Sequence, residues 1–224
     1  MPKRASIELL PCSEREGICL RFGGEPFGLP DSLWPMSKRA REPMQFICQI
    51  PFGPDLFSGA AEAVAYVFMT CSGDGDQTWA PEGGENALVI LPRERLTASL
   101  TVGDAPRLCR MAKKWWRRTL VPESCSFSAK LTMSEDPAFI PEATLSQMPE
   151  AQTKAYRDAL VGNKLGGTPG FLQSDELPIP EPWHLLFQLD STRVPFWINF
   201  GDAGIGYAFL NHNGTEGRFL WQCC

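Results

Sequence analysis

The sequence predicts an α+β chain that is β-rich, has few helices, and is built from two similar sheet-forming halves by internal duplication. Three observations predict this. Phe22-Gly23-Gly24-Glu25-Pro26 recurs as Leu165-Gly166-Gly167-Thr168-Pro169. A leucine and a proline-rich turn follow each opening, Leu29 to Pro35 in one copy and Leu172 to Pro178 in the other. Each copy then has an apolar strand carrying one glutamine, Phe46-Ile47-Cys48-Gln49-Ile50 and Leu185-Leu186-Phe187-Gln188-Leu189. A four-residue insertion between Pro35 and Pro43 accounts for the change of offset between the copies, from 143 to 139. Self-similarity of this kind sets the architecture before any single motif does.

The first repeat runs over about 18–95, a connecting segment with helices over about 96–162, and the second repeat over about 163–224, all within one domain over 1–224. Later strands correspond loosely. In the first copy they are Ala65 to Met69 and Ala87 to Leu91, separated by a glycine-rich acidic loop. In the second they are Phe196 to Phe200 and Ile205 to Leu210, joined by Gly201-Asp202-Ala203-Gly204. Such runs are short, β-branched or aromatic, and bounded by turn residues. The Gly-Gly pairs mark places where the backbone turns sharply or touches another backbone, since glycine tolerates φ > 0. A helix is expected from about Ser146 to Val161, with Ser146 as its cap and Gly162 as its stop. A second is expected from Ala105 to Leu120, where Leu108, Met111, Ala112 and Trp115 can share one face.

A chain of 224 residues with 43% apolar and 21% charged content buries a full core without staples. Eight scattered cysteines, with no Cys-x-x-Cys pair and only two histidines, give no zinc pattern, so free thiols and no metal are expected. The basic Met1 to Arg4 leads into apolar pieces interrupted by Glu8, Glu14 and Arg15. No run reaches the length of a membrane span, so a cytoplasmic chain is expected. The net charge of −5 argues against a general nucleic-acid coat. Lys113 to Arg118 interleaves cations with tryptophans, a pattern that can stack on bases or simply cover a solvated face.

No catalytic pattern emerges. His184 and His212 stand outside any triad motif, and no phosphate loop or dinucleotide fingerprint is present, so neither an enzyme nor a cofactor is expected. A buried amide needs partners, so Gln49 and Gln188 are read as ties between a strand and a neighbouring turn. The acidic positions Asp74, Asp76, Glu82, Glu85, Asp175, Glu176 and Glu181 are the expected contacts for a basic partner.

The ordered set Phe22 to Pro26, Leu33-Trp34-Pro35, Pro43 to Ile50, Leu165 to Pro169, Leu186 to Asp190, Gly201 to Phe209 and Trp221-Gln222-Cys223 resembles the YwqG-like bacterial proteins. The resemblance covers most of the chain from about residue 18 and is poorest from Leu96 to Ser146. It implies a β-rich fold with duplicated halves and carries over no catalytic residues. It makes Gly23, Gly24, Pro26, Trp34, Gln49, Gly166, Gly167, Pro169, Gln188, Asp190 and Asp202 frame residues. Some similar proteins are encoded beside secreted antibacterial toxins, type VI secretion included. The function this implies is a cytoplasmic immunity protein that covers the active site or substrate surface of a cognate toxin, such as a nuclease. The alternative is a ligand-binding protein or enzyme using a cleft between the repeats.

Overall fold

The structure is a computed structural model describing residues 1–12, 17–57, 62–71, 77–99, 105–113, 119–178 and 182–224. Its strands are β1 (Lys3–Pro11), β2 (Arg21–Gly23), β3 (Gln45–Pro51), β4 (Ala63–Met69), β5 (Asn86–Pro92), β6 (Cys109–Lys113), β7 (Leu120–Ser124), β8 (Ser126–Glu135), β9 (Lys164–Gly166), β10 (Trp183–Asp190), β11 (Ile205–Asn211) and β12 (Gly217–Gln222). Two α-helices, α1 (Glu142–Leu145) and α2 (Glu150–Ala159), lie between β8 and β9. The protein is therefore mostly β, as expected.

Ten strands form one antiparallel sheet in the order β12-β11-β10-β9-β1-β8-β2-β3-β4-β5. At its centre β1 pairs with β8 from Lys3↔Glu135 to Pro11↔Phe127. One wing, β9 to β12, hangs from the start of β1, and the other, β2 to β5, hangs from the start of β8. The wings match strand for strand. Each carries a β-bulge just before its glutamine, between Phe46 and Cys48 in β3 and between Leu185 and Phe187 in β10. A bulge bends a strand and sharpens its twist. Here the sheet curls until its two ends nearly meet. At that seam Trp221 Nε1 donates to Thr78 Oγ1 at 3.2 Å and Arg218 pairs with Glu82 at 2.6 Å.

Alternation along each strand sends one set of side chains inward and the other outward. The inward set builds a single core from both wings and the centre, including Ala5, Phe22, Ile47, Phe127, Leu186, Phe187 and Phe219. Each wing also has an outer core. Tyr66, Phe46 and Phe68 are covered by the segment holding Leu29, Trp34 and Met44. Tyr207, Phe209 and Leu185 are covered by Phe171 and Leu177.

Several expected elements differ. The described residues of the range 105–120 do not form a helix. Cys109 to Lys113 and Leu120 to Ser124 pair as a separate antiparallel ladder, with Met111 opposite Pro122. Lys114 to Arg118 lie outside the described residues. The connecting segment thus contributes three strands as well as helices. Phe196 to Phe200 is not a strand but a plug inside the curl, where the Phe196 ring packs on Phe22 and Phe127. Its one ladder contact is a bridge from Trp197 to Cys109. The later strands consequently match differently from the sequence expectation: β4 corresponds to β11 and β5 to β12. The helix expected from Ser146 begins at Glu150, with Pro149 as its N-cap, because proline fits the entry of a helix and has no donor to lose there. Ser146 instead ends α1.

The seam has little slack. A side chain at Gly217 would overlap Leu88 of the facing strand. Gly217→Val is expected to lower unfolding free energy by about 1–3 kcal/mol through overpacking. Urea melts should show a lower midpoint with unchanged slope, and Leu88→Ala in the same chain should recover part of the loss.

Candidate functional site

The frame residues come together in two matched turns. Arg21 and Lys164, each almost fully buried, precede the Gly-Gly pairs, and each donates to the carbonyl four residues on: Arg21 Nη1 to Glu25 O at 2.7 Å, Lys164 Nζ to Thr168 O at 2.6 Å. Gly23 and Gly167 both hold φ near +70° to +80°, at 68° and 79°. A Cβ at the first would strike Cys125 O, and at the second the Asp136 carboxylate. Gln49 Oε1 accepts from Phe27 N at 2.8 Å while Nε2 donates to Cys19 O. Gln188 Oε1 accepts from Gly170 N at 2.8 Å while Nε2 donates to Leu160 O and Gly162 O. Tyr66 and Tyr207 complete the turns by donating to Phe27 O and Gly170 O. Pro26 and Pro169 are buried beside them. Both ends of each amide are taken up by backbone groups, so both glutamines serve the frame.

In the second turn Asp136 is fully buried and ties three elements. It accepts from Lys164 Nζ at 2.7 Å, Arg4 Nη1 at 2.8 Å and Thr168 N at 2.9 Å. Burial pushes Lys164 down to about 8, against the opposing pull of the Asp136 charge. Asp190 caps a short turn by accepting from Thr192 N and Oγ1, and pairs with Arg193. Asp202 contributes its carbonyl to Cys224 N, while the side chain that closes that turn is Asn199, accepting from Gly201 N. Trp34 donates to Met44 O and packs edge-on against Phe68 at 5.3 Å.

The described members of the acidic contact set, Glu82, Glu85, Asp175 and Glu176, are each taken up by bonds within the chain. Asp74, Asp76 and Glu181 lie outside the described residues. Glu85 is buried and accepts from Ser37, Thr70 and Arg39 N, bonds that hold its carboxyl below the ordinary range although burial opposes them. It is a strut of the Pro35–Pro43 insertion and not a partner contact. Glu82 is exposed and paired with Arg218. Asp175 is exposed but accepts from Glu142 N, and Glu176 accepts from Gln222.

Two surfaces stand out instead. The first is the neighbourhood of Trp197, which like Trp79, Met111 and Leu120 is about half exposed. Thr78, next to Trp79, lines a small hollow together with Trp197. Trp197 N donates to Cys109 O at 2.7 Å, which sets it against β6 two residues from Met111. Beside Trp79 opens a concavity of about 690 Å³ bordered by Lys38 and Arg39. The second is a cleft of about 720 Å³ on the outer side of the second wing, walled by Phe139, Leu177, Trp183, His184, Phe209 and His212 and closed by the first wing's Asp55 and Leu56. Its two imidazole rings lie 6.2 Å apart. In the first wing Trp34 covers Phe68. In the second the matching position holds the smaller Leu177, and Phe209, stacked on Phe171 at 6.2 Å, still lines the open cleft.

The sequence reading missed Arg21, Lys164, Asp136, Trp79 and Trp197. The offset of 143 already pairs Arg21 with Lys164, a signal for a shared buried role. For Asp136 and the tryptophans no local pattern exists, since contacts distant in sequence define them. Among the described residues, no group of three or more His, Cys, Asp or Glu could hold a metal ion, and no helix is long and apolar enough to cross a membrane.

Asp136→Ala would leave the Lys164 ammonium buried without its counter-charge. The expected cost is about 3–5 kcal/mol, the usual penalty for stripping one partner from a buried pair, measured by denaturant unfolding.

A family described as a domain of unknown function (DUF1963) has a model that matches residues 20–216. The chain belongs to that family. No curated protein matches it.

Proposed function

We propose that this DUF1963 member is a binding protein of the immunity type, which neutralises a cognate antibacterial toxin by covering its active site or substrate surface. The observation that carries this is the half exposure of four large apolar side chains, Trp79, Trp197, Met111 and Leu120, with Trp197 bonded to β6 two residues from Met111. Tryptophan and methionine are enriched in protein interfaces, and tryptophan dominates their binding energy. The two-stranded ladder of β6 and β7 is marginal by itself in water, and a partner packed on it would stabilise it. The resemblance to YwqG-like proteins, some of them encoded beside toxins, supports a toxin as the partner. The net charge of −5 fits a basic one such as a nuclease.

The test is co-purification with the product of the adjacent gene, followed by titration. Trp79→Ala and Trp197→Ala are each expected to weaken binding by about tenfold or more while thermal stability stays near wild type. Failure to bind any neighbouring product, or unchanged affinity in both variants, refutes the role.

The open cleft of the second wing favours a second reading, a ligand site with an aromatic wall and two imidazoles at its mouth. Its volume falls within the usual range for small-molecule pockets. Leu177→Trp should fill it as Trp34 fills the matching place. Stability should hold or rise, and any small molecule captured by the wild-type chain in a thermal-shift screen should lose its effect. A ligand still bound by the filled variant would rule the cleft out.

A further inference from the structure

We propose that the chain forms a two-fold dimer by pairing the free edge of β8 with the same edge of a second copy, about an axis through Thr132. β8 has a neighbour on both sides only at its start, where β2 pairs with Ser126 to Ser128. Beyond Ser128, among the described residues, β1 is its sole ladder partner. Residues 130–135 are all exposed, and Leu131 and Met133 stand 41% and 49% open to solvent. Their side chains lie on the face that holds Phe127 and Ala129 in the main core, since strand residues two apart share a face. The core's apolar stripe therefore continues past the last covering strand.

The direction of the backbone groups follows from two bonds. Asp136 N donates to Pro2 O, so even-numbered residues of β8 bond toward β1. Gly24 N donates to Cys125 O, so odd-numbered residues bond toward the other side. Leu131, Met133 and Glu135 thus present their N–H and C=O groups on the open edge. Unpaired edges of this kind template pairing with another chain.

The sequence along that edge fits a copy of itself. A two-fold axis perpendicular to a sheet pairs residues whose numbers have an even sum, because paired residues share a face. Centred on Thr132, Leu131 lies opposite the copy's Met133 and Met133 opposite the copy's Leu131. Both are hydrogen-bonded pairs of the antiparallel ladder. Ala129 meets Glu135 and Lys130 meets Ser134, so no like charges face each other. Moving the axis to Met133 pairs Leu131 with Glu135, and moving it to Leu131 sets Glu135 against Phe127, whose edge β2 already occupies. The interface is isologous and closed.

Sedimentation of the full chain should give twice its 24.9 kDa mass at high micromolar concentration. Leu131→Lys and Met133→Lys, exposed in one chain and harmless to its circular dichroism, should each return the mass to that of one chain. In the Thr132→Cys variant the two introduced thiols should join as a disulfide between copies under mild oxidation, identified by peptide mass spectrometry. Cα atoms of a non-hydrogen-bonded pair lie about 4.5 Å apart, within disulfide reach. A wild-type chain that sediments singly throughout, or a dimer that survives both lysine variants, overturns the proposal. So does a Thr132→Cys dimer without that cross-link.

Discussion

A primary amide taken out of water must satisfy both of its ends, and Gln49 and Gln188 meet that demand in one way only. Each oxygen receives the N–H of a residue just past a Gly-Gly-x-Pro turn, and each nitrogen reaches a carbonyl of the segment entering that turn. Losing one such bond in the interior costs about 1–3 kcal/mol. The covering loop of each wing is thereby fixed to its sheet. From that fixation follow the two outer cores and the place where the second wing remains open.

The two wings solve the same problem with different materials. The first buries an arginine, adds a tryptophan to its cover, and braces its longer loop on Glu85. The second buries a lysine beside Asp136 and has only Leu177 where the tryptophan would be. A frame met twice is the part with least freedom to differ. Chemistry that varies between the wings, or lies on neither, is where binding can be specialised: the cleft, the exposed tryptophans and the free edge of the central ribbon.

Much of the frame was legible in the chain because its signals are local. Glycine pairs, prolines and a glutamine in an apolar run recur at constant spacing, and the matched tyrosines, Tyr66 and Tyr207, were there to be found at an offset of 141. The errors have physical causes. Leu108, Met111 and Ala112 fit a helical face, but in the ladder Met111 falls on the side opposite Leu108 and Ala112 and is exposed. Phe196 to Phe200 has the residues of a strand, but its aromatic rings are taken up by the interior of the curl. Glu85 reads as loop acidity until Ser37 and Thr70, far away in sequence, close around it. The exposed tryptophans have no pattern of their own, since exposure is settled only when the whole sheet has curled.

The central position of β1 has a consequence for the birth of the chain. β1 is made long before its partners, residues 127–135 and then residues 164–166, at separations of more than a hundred residues. Its contact order is therefore high, and closing so long a loop must precede any reward from the contacts it brings. While the ribosome is still at work on the connecting segment, Ile7 and Leu9 have no lasting neighbour. A β2–β5 wing can settle early, yet the sheet has no centre until Glu135 has emerged. Synthesis thus passes through a stage in which an apolar strand waits uncovered, the condition under which a holdase chaperone is most useful.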